Sequence, residues 1–152
     1  MNKKLLALYG LKWNPFAPDV PVEALRVTPQ IESFCWRVEQ LAGEGGFALV
    51  TGAPGTGKSV TLRILAERLA AQRDVKVGVI SRPQAGLADF YREMGELFGV
   101  ELRPHNRHGG AKVLRQCWQA HIDASLSRPV LIIDESQEVM IPVLAELRRV
   151  VR

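Results

Sequence analysis

Residues 52 to 59 read Gly52-Ala53-Pro54-Gly55-Thr56-Gly57-Lys58-Ser59, a full match to the spacing G-x-x-x-x-G-K-[ST]. These residue types at this spacing suit one task, gripping a chain of phosphates. Glycines let the backbone turn its N–H groups inward and approach an anion closely. Lys58 would bring an ammonium group to the β- and γ-phosphates, and the Ser59 hydroxyl would ligate Mg²⁺. The expected nucleotide contacts are Gly52, Ala53, Pro54, Gly55, Thr56, Gly57, Lys58 and Ser59, with Val60 just beyond. The bland alternative is a Gly-rich turn that ends in Lys-Ser by accident.

A second chemical element lies downstream. Val130-Leu131-Ile132-Ile133 is an apolar run ending in Asp134-Glu135. A buried strand with carboxylates at its C-terminal end delivers them to the sheet edge where ligands bind. Asp134 is expected in the Mg²⁺ shell. Glu135 is expected to orient or deprotonate an attacking water. Glu135 and Lys58 are thus the catalytic candidates, and Ser59 and Asp134 the metal ligands. A strand ending in Asp-Glu means little alone; it gains weight beside the upstream loop.

The flanking segments decide whether such groups can be positioned. Gly46-Phe47-Ala48-Leu49-Val50-Thr51 is an almost wholly apolar run, which predicts a strand buried on both faces. Val60, Ile64, Leu65 and Leu69 recur at helical spacing on a segment running to about Gln72, so the loop opens a helix whose positive end points at the phosphates. A second strand is predicted over 75–80. Leu87 to Phe98 forms a helix stopped by Gly99. A further helix carries Val113, Leu114, Cys117, Trp118, Ile122 and Leu126, and a last one starts near Ile141. Alternating strands and helices predict an α/β fold of the P-loop NTPase kind, three layers α/β/α around a parallel sheet. Residues 30–152 form this nucleotide-binding domain. Residues 1–29, with Pro15, Pro18, Pro21 and Pro29, form a mostly irregular arm that packs its aromatics on the domain.

Composition bounds the class. The chain has 152 residues, enough for one core, with 47% hydrophobic and 24% charged residues. Its net charge of +4 permits contact with DNA without demanding it, because the basic residues are scattered. Cys35 and Cys117 lie far apart and read as buried, reduced thiols. The apolar stretch after Lys3-Lys4 is too short for a signal peptide, and no run approaches membrane-spanning length. A cytoplasmic location is expected.

The loop, the Leu131-Ile132-Ile133-Asp134-Glu135 strand end and the opening Tyr9-Gly10-Leu11 with Asn14-Pro15-Phe16 together resemble one group. It is the AAA+ ATPases of the general-secretion-pathway protein A (ExeA-like) type, close to origin-recognition ATPases and to ATPase helpers of transposases. The resemblance implies ATP and Mg²⁺ as cofactors, Mg²⁺-dependent ATP hydrolysis, and homo-oligomers. It implies as partner a transposase with DNA, or a secretion-complex protein. After the acidic pair the group usually continues Ala-Gln; here Ser136-Gln137 stands. Relatives of this kind continue beyond the helix near Ile141 with two more strands, sensor residues, an arginine finger and a helical lid, in the sheet order 5-1-4-3-2. None of these can be placed before Arg152, so a C-terminally truncated domain is expected, with weakened nucleotide affinity and little or no turnover. Direct pairing of 47–51 with 130–134 would close the gap.

Other residues carry weaker cases. His105 and His108 are three apart, yet sit among Pro104, Gly109 and Gly110 with no third ligand nearby, so a polar loop outweighs a metal site. Arg103, Arg107 and Lys112 read as a solvated connection more than a DNA contact. Trp36 and Trp118 read as core, His121 as a packing residue, and Cys117 as an unactivated thiol. Thr51 and Ser81 end strands near the nucleotide edge, and Gln137 is placed to position water or report nucleotide state. Competing functions are a non-hydrolysing nucleotide-dependent interaction module, an inactive remnant, and a small-molecule kinase, for which no acceptor-site signature is present.

Overall fold

A computed structural model describes residues 3–17, 19–80, 86–102 and 110–150. Among them the order is α1 (Lys3–Leu8), α2 (Pro29–Glu44), α3 (Lys58–Ala70), β1 (Val75–Ile80), α4 (Leu87–Phe98), α5 (Gly110–Ala124), β2 (Arg128–Ile133) and α6 (Ile141–Val150). Short 3₁₀ turns occupy Val22–Ala24 and Ser136–Glu138. Helix α2 starts where its sequence says it should. Thr28 accepts a hydrogen bond from the Ile31 N–H at 3.3 Å, and Pro29 fills the first turn, where its missing donor costs nothing. Gly99, left-handed at φ 74°, closes α4.

The two strands pair in parallel, Val75 opposite Arg128 through Ile80 opposite Ile133. Side chains alternate between two helical layers. Val75, Val77, Val130 and Ile132 face Ile64, Leu65 and Leu69 of α3 and Cys35 of α2. Ile80, Leu131 and Ile133 face Phe90, Tyr91, Met94 and Phe98 of α4, Leu114 and Trp118 of α5, and Val143 of α6. The result is the expected α/β/α arrangement around a parallel sheet. Arg68 fastens α3 to α2 through Glu39 at 2.6 Å and Glu32 at 2.8 Å. Burial raises the Cys35 thiol pKa, against the lowering pull of Arg68. That thiol is a packing group.

The stretch at 46–51 departs from expectation. It forms no strand, and β2 pairs with β1 alone among the described residues. The direct pairing of 47–51 with 130–134 does not occur either. An apolar run specifies a strand only when a neighbouring strand offers its hydrogen bonds. Phe47 and Leu49 are consequently 58% and 79% exposed, and Thr51 ends no strand.

Smaller corrections follow from helix faces. Trp36 lies on the outer face of α2 and is 58% exposed, whereas Trp118 is buried as expected. Cys117 is exposed; only Cys35 is buried. In the arm, Tyr9 and Phe16 point outward instead of packing on the domain, and the Lys12 ammonium sits 4.4 Å from the Trp13 ring centroid. Ser81, Arg103, His105, Arg107 and His108 lie outside the described residues.

The return from α4 is tightly built at Gly95. Its carbonyl accepts the Val100 N–H at 2.9 Å, and a Cβ placed there would stand 2.4 Å from the Val100 carbonyl oxygen. Backbone cannot swing aside as a side chain can. Gly95→Ala should therefore destabilise the fold by about 1–3 kcal/mol, read as a lower denaturant midpoint at unchanged slope.

Candidate functional site

Gly57 is the residue that turns the loop into a helix. It caps α3 at φ 88° and ψ 18°, a left-handed conformation that side-chain-bearing residues rarely adopt, and it offers no side-chain acceptor. Gly55 has φ 78°. The first-turn N–H groups of α3 are thus left without a capping side chain at the helix end that favours an anion. Lys58 lies against its own loop, with Nζ donating to the carbonyls of Gly52 at 2.9 Å and Ala53 at 3.0 Å. The Thr56 hydroxyl donates to the same Ala53 carbonyl at 2.8 Å. Thr61 closes the first turn, both its N–H and its hydroxyl donating to Gly57 O at 2.9 Å. Ser59 is exposed, and Val60 packs toward the α2–α3 core.

The acidic pair leaves the sheet at its C-terminal end. The Asp134 N–H donates to Ile80 O at 3.0 Å, prolonging the ladder by one residue. Asp134 is half-buried, and its Oδ1 accepts the Glu135 N–H at 2.9 Å. Glu135 is exposed and left-handed at φ 51°. Its Oε2 accepts a hydrogen bond from Gln137 Nε2.

Topology brings the two parts to one end of the sheet. Helix α3 hands over to β1 through residues 71–74, and both pack in one core, so α3 runs back along the strands. Thirteen helical residues span about 20 Å and six strand residues about 20 Å. The Lys58 end of α3 therefore returns to the level of Ile80, beside which β2 delivers Asp134. A cation, a helix start and two carboxylates at one sheet end can bind a polyphosphate with a divalent ion. No cage of three or more His, Cys, Asp or Glu side chains occurs among the described residues. That donor set suits Mg²⁺, which commonly takes one or two protein oxygens and completes its shell with water and phosphate.

Sequence reasoning missed one polar cluster, Glu146 with Tyr91, Arg115 and Arg149. A glutamate in a helix ordinarily reads as solvated. The available signal was its helical spacing from the buried Val143 and Val150.

A parallel sheet between two helical layers, with a phosphate-loop sequence opening α3, defines the α/β P-loop class of fold. The profile of the family described as AAA domain matches residues 41–152, and the chain belongs to that family, an ATPase-type nucleotide-binding class. It is similar to General secretion pathway protein A of Aeromonas hydrophila, 31% identical over 107 residues that make up 68% of this chain and 19% of that protein. The chain spans about a fifth of the length of this curated relative. No solved structure matches it. Among the described residues, no helix is long and apolar enough to cross a membrane.

Proposed function

We propose that this chain binds ATP with Mg²⁺ at the 52–60 loop and hydrolyses it. The observation that carries this reading is the uncapped start of α3, with Lys58 at its mouth, at the same sheet end as Asp134 and Glu135. In this reading the backbone N–H groups of residues 53 and 55–60 and the Lys58 ammonium hold the phosphate oxygens; Pro54 has no N–H to give. Exchange of Lys58 from two neutral carbonyls to anionic oxygens strengthens its hydrogen bonds. Ser59 and Asp134 hold Mg²⁺, which when bound neutralises charge on the phosphates. Glu135 orients the attacking water and accepts its proton.

Lys58→Ala is the direct test of binding. The substitution frees the Gly52 and Ala53 carbonyls to water and should leave the melting temperature unchanged. ATP affinity should fall about 100-fold, equivalent to about 2.7 kcal/mol. Equal affinities by titration calorimetry would sink the loop as the site.

A second reading, a nucleotide-dependent interaction module without turnover, is favoured by the unpaired 46–51 stretch that carries the loop. For the wider role, a helper ATPase in transposition or secretion-complex assembly is proposed, acting in the cytoplasm as a homo-oligomer. Similarity to a secretion-pathway protein supports one branch, and the calculated pI of about 9.4 supports the DNA-linked branch.

A further inference from the structure

Glu135 is the single non-glycine residue with positive φ among the described residues. A left-handed residue immediately before a 3₁₀ turn lets its side chain meet that of the residue two places on, which continuation as a regular helix would prevent. Here it meets Gln137, whose Nε2 donates to Glu135 Oε2. The turn that carries Gln137 has a fixed base. The Glu138 N–H donates to Glu135 O at 2.9 Å, the Val139 N–H donates to Ser136 O at 3.2 Å, and Val139 is buried in the α4–α6 core. Glu135 Oε1 has no protein donor among the described residues. One carboxylate oxygen is therefore held and the other presented.

The donor type matters. A lysine or arginine in this place would neutralise the carboxylate and reduce its pull on a water proton. An amide gives direction while leaving the negative charge on Glu135. Asp134 does not compete for that amide, since its Oδ1 is turned to the Glu135 N–H.

We propose that Gln137 is a positioning residue for Glu135, holding Oε2 so that Oε1 faces the attacking water. The inference rests on the hydrolytic reading above and goes beyond it by assigning a residue that touches neither phosphate nor metal. Gln137→Ala should lower the single-turnover hydrolysis rate about tenfold, the value of one hydrogen bond to a charged group. ATP affinity should stay within about twofold, and the melting temperature should not move, because residues 135–137 are exposed. In a Glu135→Gln background, adding Gln137→Ala should change nothing further, a non-additivity that a merely structural role would not give. Independently of turnover, the Gln137 side-chain amide signals, assigned by their loss in Gln137→Ala, should shift in Glu135→Ala.

The outcomes separate the two readings. Equal rates for wild type and Gln137→Ala, or amide signals indifferent to Glu135→Ala, overturn the positioning role alone. ATP binding without turnover overturns it together with hydrolysis and leaves the binding site standing. Absence of ATP binding in the folded wild-type chain overturns the functional reading itself.

Discussion

Glu135→Gln should abolish at least 99% of ATP turnover while ATP still binds. A positioned general base contributes about 10²–10⁴ in rate, and the amide that replaces the carboxylate accepts no proton. The substitution is otherwise conservative. Gln shares the backbone cost of the left-handed conformation at φ 51°, and its carbonyl oxygen can still accept from Gln137. Its charge is lost from an exposed position, so stability should change by no more than about 0.5 kcal/mol. The expected picture is retained [³²P]ATP on filters, an unchanged melt and no phosphate release. Lys58→Ala should give the opposite pattern, lost retention. Unchanged phosphate release in Glu135→Gln would assign the water to another base; a wild type that never releases phosphate would leave the interaction-module reading.

How much of this was legible in the sequence depends on whether the signal is local. Helix α3 reads correctly because Ile64, Leu65 and Leu69 repeat at helical spacing on a segment that packs one face against β1. Strands β1 and β2 read correctly because their apolar side chains have helices on both faces to receive them. The 46–51 run carries the same local signal and forms no strand, because a strand is a statement about a neighbour as well as about its own residues. Burial on a helix likewise depends on which face meets a partner, so helical spacing alone does not separate the exposed Trp36 and Cys117 from the buried Trp118. In the site, the loop spacing named Lys58 and Ser59, but spacing cannot show that Lys58 rests on the Gly52 and Ala53 carbonyls. Nor does any motif encode the left-handed backbone at Glu135 that brings Gln137 to it. Such features arise from competition among hydrogen-bond partners that only the folded chain places within reach.

Glu146 shows the same competition at its most costly. It is 1% exposed, and both its oxygens are used. Oε1 accepts from the Tyr91 hydroxyl at 2.6 Å and forms an ion pair with Arg115 Nε at 3.0 Å; Oε2 accepts from Arg149 at 3.2 Å. One carboxylate thereby joins α4, α5 and α6, and α6 is the first helix after the acidic pair. Glu146→Ala should destabilise the domain by about 3–5 kcal/mol, because it strands the Tyr91 hydroxyl and leaves Arg115 without its partner. Against a total of about 5–15 kcal/mol, that loss should unfold much of the population at 37 °C, seen as a collapsed melting transition. Tyr91→Phe removes one donor and leaves both arginines on Glu146, so about 1.5–3 kcal/mol is expected. It has a second signature. Burial first, and then the hydrogen bond to Glu146, raises the Tyr91 pKa above its ordinary value. The stability that this neutral hydroxyl contributes is complete below about pH 10, the unfolded value, and is lost as pH rises beyond it, because the unfolded chain alone then sheds the proton. Phenylalanine has no such proton. The alkaline decline of stability above about pH 10 should therefore be shallower in Tyr91→Phe than in the wild type, and an identical slope would mean that the hydroxyl is not buried against Glu146.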